Sequence, residues 1–526
     1  MRYRHTTAVA TAVAGALVLA ACGGGNGNGN GNGNGGGENG EAGGSGEAAS
    51  LDSVTIMAPF FSPTAPEPGG EIEEALTDLT GVDLNMRWVP NSNYGDQTNV
   101  VLASDDIPDV MVIQDKSQGF IQTAEAGGFW DLTDYLASGD FPNLVTENPE
   151  VQEASGVNGQ IFGVYRARDV IRHSIILRAD WMENLGLEDP ETLDDLAEIA
   201  RAFTEDDPDG NGQDDTYGLI VPEWPAAVGT GSPWDAIDVW HGAGNVWRDD
   251  GGELTATWTT DEWRDSLRFQ RDLIDSGYVN PDFATMPPED WNQRFMNGDG
   301  GIIIDVQSRA AELINLYRQN DPDDFDSYVR LVGQVEGPNG KFSLPTAGYA
   351  GFLAVPRSSI ETEEELLAVL QVLNDLNSPE AQVLLNNGIE GHNFEVEDGY
   401  AVTDPDMQEF TDFVTGAWAQ LGTNVAGQHF YTPLPQTDYD VEIFELRQEL
   451  QEEDLQDAVF NPALGLISET YVTNATQLDT LIADARIQYL AGQIDESGMD
   501  EAVERWRSSG GEQVDAEVNE LYSQAG

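Results

Sequence analysis

Asp207, Asp209, Asn211 and Asp215 occupy the first, third, fifth and ninth places of an oxygen-ligand loop, with Gly212 sixth and Gln213 offering its carbonyl at the seventh. That spacing lets a tight turn wrap a hard cation, and the donors suit Ca²⁺. A helical EF-hand closes with a bidentate Glu at the twelfth place, where this chain has Gly218. The loop is therefore expected to be single and incomplete, completed by further ligands such as Asp206 or Thr216, and structural in role because no base or nucleophile lies beside it. The competing account is an acidic, Gly-rich surface turn.

A second set of residues could stack on flat apolar ligands. Trp224, Trp234, Trp240 and Trp247 fall in one short polar, Gly-rich stretch. Aromatic faces in that setting either form platforms for sugar rings or pack their own loop. Catalytic spacing is not found. His173, His241, His392 and His429 are scattered, and neither HExxH nor a G-x-S-x-G around a serine occurs. The 94 acidic residues guarantee chance carboxylate pairs, so pairing alone cannot argue for a glycosidase.

The elements that must position these groups alternate between strand and helix. Val54–Pro59, Val82–Val89 and Asp109–Ile113 are short β-rich runs separated by helix-length segments such as Glu71–Leu79. The pattern predicts a doubly wound α/β sheet, in which ligands sit beyond the carboxyl ends of the strands. Arg87, Trp88, Tyr94 and Asp115 lie at such ends. Gly300–Asp305 reads as a buried strand. Thr192 with Asp195 and Thr362 with Glu365 mark helix starts, and amphipathic helices dominate from Val441 onward.

With 526 residues, 40% of them apolar, the chain has material for two cores. Its formal charge is −71, and Lys occurs only at Lys116 and Lys341. Such a surface repels phosphate, which argues against nucleic acid and anionic membrane surfaces as partners. It also suggests a protein bathed in concentrated salt, so removing salt is expected to lower its melting temperature as self-repulsion loses its screening. A melt unchanged between 2 M and 10 mM NaCl, roughly a tenfold change in Debye length, would contradict this.

Arg2 and Arg4 precede an apolar run, Ala8–Ala21, too short to span a membrane as a permanent helix and ending in Leu19-Ala20-Ala21-Cys22. The reading is a signal peptide over residues 1–21 and a lipidated Cys22, against an ordinary signal with a chance cysteine. The flexible Gly/Asn linker of residues 22–50 would hold the body roughly 30 Å from its anchor.

Taken together, the lipobox, IPDVMV at Ile107–Val112, DLTDYL at Asp131–Leu136, LRADWMENLGL at Leu177–Leu187, DPDGNGQDDTYG at Asp207–Gly218 and GIEGHNF at Gly388–Phe394 make the chain resemble family 1 extracellular solute-binding lipoproteins of ABC importers. The likeness is to the large oligosaccharide-binding type, such as alginate-binding members. The resemblance implies a type II periplasmic-binding-protein-like fold: two lobes, each a mostly parallel sheet flanked by helices, closing on ligand like a hinge, with extra C-terminal helices. Residues 51–167 plus 325–377 would form lobe 1, and 168–324 plus 378–526 lobe 2. The metal loop of the alginate-binding members matches at Asp207, Asp209, Asn211, Gln213 and Asp215, whereas an acidic residue that follows there is Thr216 here.

On this reading the protein is a monomer tethered to the extracellular face of the cell membrane. It delivers an oligosaccharide to the membrane subunits of an ABC permease and catalyses nothing. Trp88, Trp224, Trp234, Trp240 and Trp247 are expected to stack on the sugar, Arg87, Asp115, Asp305 and Glu390 to hydrogen-bond it, and Tyr349 and Phe394 to line the cleft. The alternatives are a secreted glycosidase or lyase, and a receptor of the same fold for a peptide-like solute.

Overall fold

The computed structural model describes residues 51–224, 228–427 and 430–525. The expected signal peptide, Cys22 and linker lie outside the described residues. None of the described helices is long and apolar enough to cross a membrane.

Two sheets organise the described chain. In the first, the strands run in the order Asp83–Pro90, Ser53–Phe60, Val110–Ile113, Tyr349–Ala354, Gly163–Ala167. Val110–Ile113 is buried at every position, as a central strand covered on both faces must be. In the second, the order is Val329–Val332, His173–Arg178, Gly300–Val306, Tyr217–Leu219. Gly301 sits where a Cβ would lie 2.4 Å from the Phe203 ring and 2.6 Å from Trp181. Only glycine lets those two side chains close over the strand.

Two expectations need correction. The sheets are mixed rather than mostly parallel. Ser53–Phe60 pairs in parallel with both its neighbours, but Tyr349–Ala354 runs antiparallel to both of its own. His173–Arg178 does the same. Those pairings join strands far apart in the chain, which local alternation does not record. The boundaries also move. Val329–Val332 pairs with His173–Arg178 and so belongs to the second sheet. Ala381, Leu385, Trp418, Leu421 and Val425 pack into the first core with Val54 and Val110. The chain therefore returns to the first sheet after Val332, and stays with its core well past Asn377.

Helix starts follow the sequence signals. Thr192 with Asp195 and Thr362 with Glu365 both form reciprocal capping boxes. The C-terminal helices Glu469–Leu490, Glu496–Trp506 and Glu512–Ala525 send Leu478, Ile482, Met499, Trp506 and Val518 into the second core.

Candidate functional site

The chain passes from the first sheet to the second through residues 168–172 and comes back through 344–348. The two connections are bonded together: Arg168 N–H donates to Gly348 O at 2.9 Å and Thr346 N–H to Val170 O at 2.8 Å. The Thr346 hydroxyl donates to Asp169 O at 2.9 Å. Beside this crossing opens a cavity of about 770 Å³, in the range of small-ligand sites. Helix Pro149–Ser155, whose Val151 belongs to the first core, supplies Glu150 and Ala154. The second sheet supplies His173, Asp305 and Val306, and Asn461–Leu466 closes another side.

One wall is a ladder of aromatic and charged groups. Asp305 ends the buried strand Gly300–Val306 and is itself buried. It pairs with Arg309 one helical turn on. The Arg309 guanidinium lies 4.3 Å over the Trp291 ring and donates to Asn292 Oδ1 at 2.6 Å. Trp291 in turn meets Trp224 edge to face, with ring centroids 5.9 Å apart. Trp224 is half-buried and lines the cavity. Across from it, buried His173 bonds Gly231 O through Nε2 at 3.1 Å, while Nδ1 has no partner. Burial pulls the imidazole below its ordinary value and favours its neutral form. An aromatic face and a carboxylate around an enclosed space can bind a polyhydroxylated solute.

Of the residues singled out in the sequence, Trp224 and Asp305 meet here. Tyr349 stands one contact away, its hydroxyl donating to Ala154 O at 3.3 Å and pushed up to about 12 by burial. The others are elsewhere. Trp234 and Trp240 lie on the fully buried helix Pro233–Trp240, Trp234 against Phe283 and Trp240 donating to Gln334 Oε1 at 3.0 Å. Trp247 packs on Trp258 in the same core. Trp234 and Trp240 pack into the core because their stretch is no loop: Ser232 caps it as a helix, and each of its faces meets core, whereas Trp247 opens the strand Trp247–Asp249 that follows. Trp88 packs edge to face on Trp418, and half-buried Arg87 pairs with Asp106 at 2.8 Å. Asp115 and Glu390 are exposed, and Phe394 is buried beside Tyr431. None of these five lines the cavity. His173 was not singled out, although its place at the head of the apolar run Ser174–Leu177 marks the start of a buried strand.

The acidic loop follows helix Leu193–Glu205. Asp209 Oδ2 and Asp215 Oδ1 both accept from the Asn211 side-chain amide, at 2.8 and 3.1 Å, and Gly212 N–H donates to the Asp207 carboxylate at 3.0 Å. Gln213 N–H donates to Asn211 Oδ1 at 2.7 Å. Every donor is oxygen and three of the residues converge, which fits a hard cation once the Asn211 amide turns its oxygen inward. Asp206 and Thr216 are not free to complete the set. Asp206 pairs with Arg201 at 3.0 Å, and the buried Thr216 hydroxyl donates to Phe203 O at 2.7 Å. Among the described residues no three acidic or imidazole groups meet at one point.

Two sheets with their own cores, and a crevice lined from both, define a two-lobed protein of the solute-binding kind. The chain belongs to the bacterial extracellular solute-binding protein family, whose model matches residues 63–383. It is 42% identical over 480 residues to lipoprotein LipO of Bacillus subtilis, covering 90% of this chain and 93% of that one. It is 32% identical over 457 residues to the polygalacturonan/rhamnogalacturonan-binding protein YtcQ of the same organism, covering 86% and 87%. The substrate-binding protein FusA of Streptococcus pneumoniae, solved as an EF-hand mutant with fructo-nystose, shares the fold at 18% identity with a TM-score of 0.61, over 90% of this chain and 99% of that one.

Proposed function

We propose that this protein captures an oligosaccharide in the cavity walled by Trp224 and Asp305 and hands it to the permease of an ABC importer. The observation that carries the reading is the half-buried Trp224 ring and the Asp305 carboxylate lining one enclosed cavity, an arrangement that pairs ring faces with hydroxyl partners. The binding proteins named among its relatives support it, and so does the family's extracellular solute-binding role. The crossing at 168–172 and 344–348 is the hinge, and the two cores are the lobes that close about it. A lipid on Cys22 tethers the protein, as a monomer, to the outer face of the membrane, in keeping with a lipoprotein relative.

Calorimetric titration of the full chain with a panel of oligosaccharides is the test. Trp224→Ala should weaken the best ligand by about 1.5 kcal/mol, roughly tenfold in Kd. Unchanged affinity would remove this cavity from the binding site, and new reducing ends appearing on incubation would replace capture by catalysis.

The loop around Asp207, Asp209, Asn211, Gln213 and Asp215 is a structural Ca²⁺ site in this reading, clamping the end of helix Leu193–Glu205 to the strand Tyr217–Leu219. At about a hundredfold excess over its dissociation constant Ca²⁺ should raise stability by roughly 2.7 kcal/mol. Asp209→Ala with Asp215→Ala should abolish the gain. A gain that survives in the double variant places the ion elsewhere.

A further inference from the structure

Most of the described cations are tied to carboxylates. Among the described residues only Lys116, Arg166, Arg168, Arg172, Arg357 and Arg447 make no ion pair. Lys116 is bonded to three carbonyls, and Arg357 lies 4.0 Å over the Trp130 ring. The other four gather in one place. Arg168 and Arg172 on the crossing, and Arg447 on the helix Asp438–Leu455, line a second cavity of about 640 Å³. Arg166 lies behind it, donating to Ala350 O at 2.8 Å and to Gln420 Oε1 at 2.5 Å, and Gln420 lines the cavity.

Scarcity of partners does not explain the gathering, since acidic residues outnumber basic ones 94 to 23. Glu147, Asp169 and Glu452 border the same space, yet none pairs with these arginines. Buried Nε atoms of Arg166 and Arg447 have no acceptor at all. Burial, and then the neighbouring guanidinium of Arg172, hold Arg168 below its ordinary value, and burial with Arg168 beside it lowers Arg166 to about 10. Asp169 acts on Arg168 and Arg447 without pairing with either, one carboxylate against several guanidiniums; like charges so held together are costly, and an anion between them would relieve that cost. Guanidinium forks match the planar carboxylate with two parallel hydrogen bonds. The amides of Asn386 and Gln451 along the same walls suit hydroxyl groups.

We propose that this cavity is the carboxylate-recognising compartment of the solute crevice, so that the captured solute is an acidic oligosaccharide whose uronate groups meet Arg168, Arg172 and Arg447. Arg168 and Arg172 sit on the crossing and Arg447 on a helix packed against the second sheet through Leu446 and Leu450. A bound carboxylate therefore spans the hinge and favours the closed form. The inference rests on the oligosaccharide reading and adds the charge of the ligand.

The test titrates the full chain with trimers of galacturonate and of guluronate, each against its neutral methyl ester, together with neutral oligosaccharides and inorganic sulfate. The acid of one pair should bind at least tenfold tighter than its ester. Arg168→Gln with Arg172→Gln should erase that advantage and leave the ester unchanged, and added salt should narrow the gap in the parent only. If that double variant melts more than a few degrees below the parent, Arg447→Gln takes its place. Acid and ester binding alike, or a neutral sugar bound while both acids are ignored, would overturn the inference and leave sugar capture standing. Sulfate competing as tightly as the trimer would overturn it in favour of a free-anion site. No binding of any sugar would overturn both.

Discussion

Replacing Arg486 with Met should destabilise the second core by about 3 to 5 kcal/mol at pH 7. Arg486, on helix Glu469–Leu490, is buried and donates to Asp235 Oδ1 at 2.7 Å through Nη1 and to Asp238 through Nη2. Asp238 also accepts from Trp263 Nε1 at 2.9 Å, Ser266 Oγ at 2.6 Å and Gln270 Nε2 at 2.8 Å. One guanidinium thus joins a C-terminal helix to two earlier ones, Pro233–Trp240 and Asp261–Asp275. Burial pushes the Asp238 carboxyl up to about 6, with Arg486 pulling it down and Asp235 pushing it further up. Without Arg486 only the hydrogen bonds from Ser266 and Gln270 still pull it down against burial and Asp235, and two carboxylates are left away from water without a cation.

A carboxyl whose folded value is raised binds its proton more readily folded than unfolded, so the variant should recover stability as pH falls from 7 toward 5. The parent should gain less over that range, and the deficit should shrink. Asp235→Asn and Asp238→Asn added to Arg486→Met should lose less than Arg486→Met alone. Tryptophan fluorescence during urea unfolding reads this directly, since Trp234 and Trp263 lie in the network. A loss under about 1 kcal/mol, or one indifferent to pH, would mean the guanidinium is not holding those helices together.

That network also marks where the sequence stops being informative. Local signals are legible: the caps at Thr192 and Thr362 and the buried strand at Gly300 all depend on residues a few places apart. The tryptophans misled because Gly229, Gly231, Gly242 and Gly244 make their surroundings look like a loop, while the Ser232 and Asp235 capping box that fixes the helix has the same short spacing as the others and could have been found. Strand direction and the chain's return points were not readable, since they are set by pairings such as Leu353 with Val112 and with Val164. Nor was the arginine cluster. A guanidinium is known to be unpaired only when every distant carboxylate is placed, and Arg486 finds Asp235 across 251 positions.

Lys116→Met should cost about 3 kcal/mol and weaken solute binding, for reasons that join stability to the site. The Lys116 ammonium donates to Ala154 O at 2.6 Å, Gly156 O at 3.0 Å and Leu464 O at 2.6 Å. Two of those carbonyls close the helix Pro149–Ser155, where a cation suits both the unbonded carbonyls and the helix dipole. The third belongs to the Asn461–Leu466 segment that walls the Trp224 cavity. Methionine preserves the volume but leaves Gly156 O and Leu464 O without this donor and Ala154 O with only the longer bond from Tyr349, so one wall loses its fastening to the other.

Burial draws the ammonium down to about 7. With the folded value below the unfolded one, the unfolded chain holds more protons between about pH 7 and 10.5, and parental stability rises with pH through that window. The deficit of Lys116→Met should therefore grow from pH 7 to pH 9, by at most roughly 1.4 kcal/mol per pH unit. Thermal melts of both proteins at pH 6, 7, 8 and 9, paired with titrations of the best ligand, measure both effects. Equal melts with equal affinities would mean that the segment holds its place without Lys116. A stability loss with unchanged affinity would mean that the wall it fastens does not touch the solute.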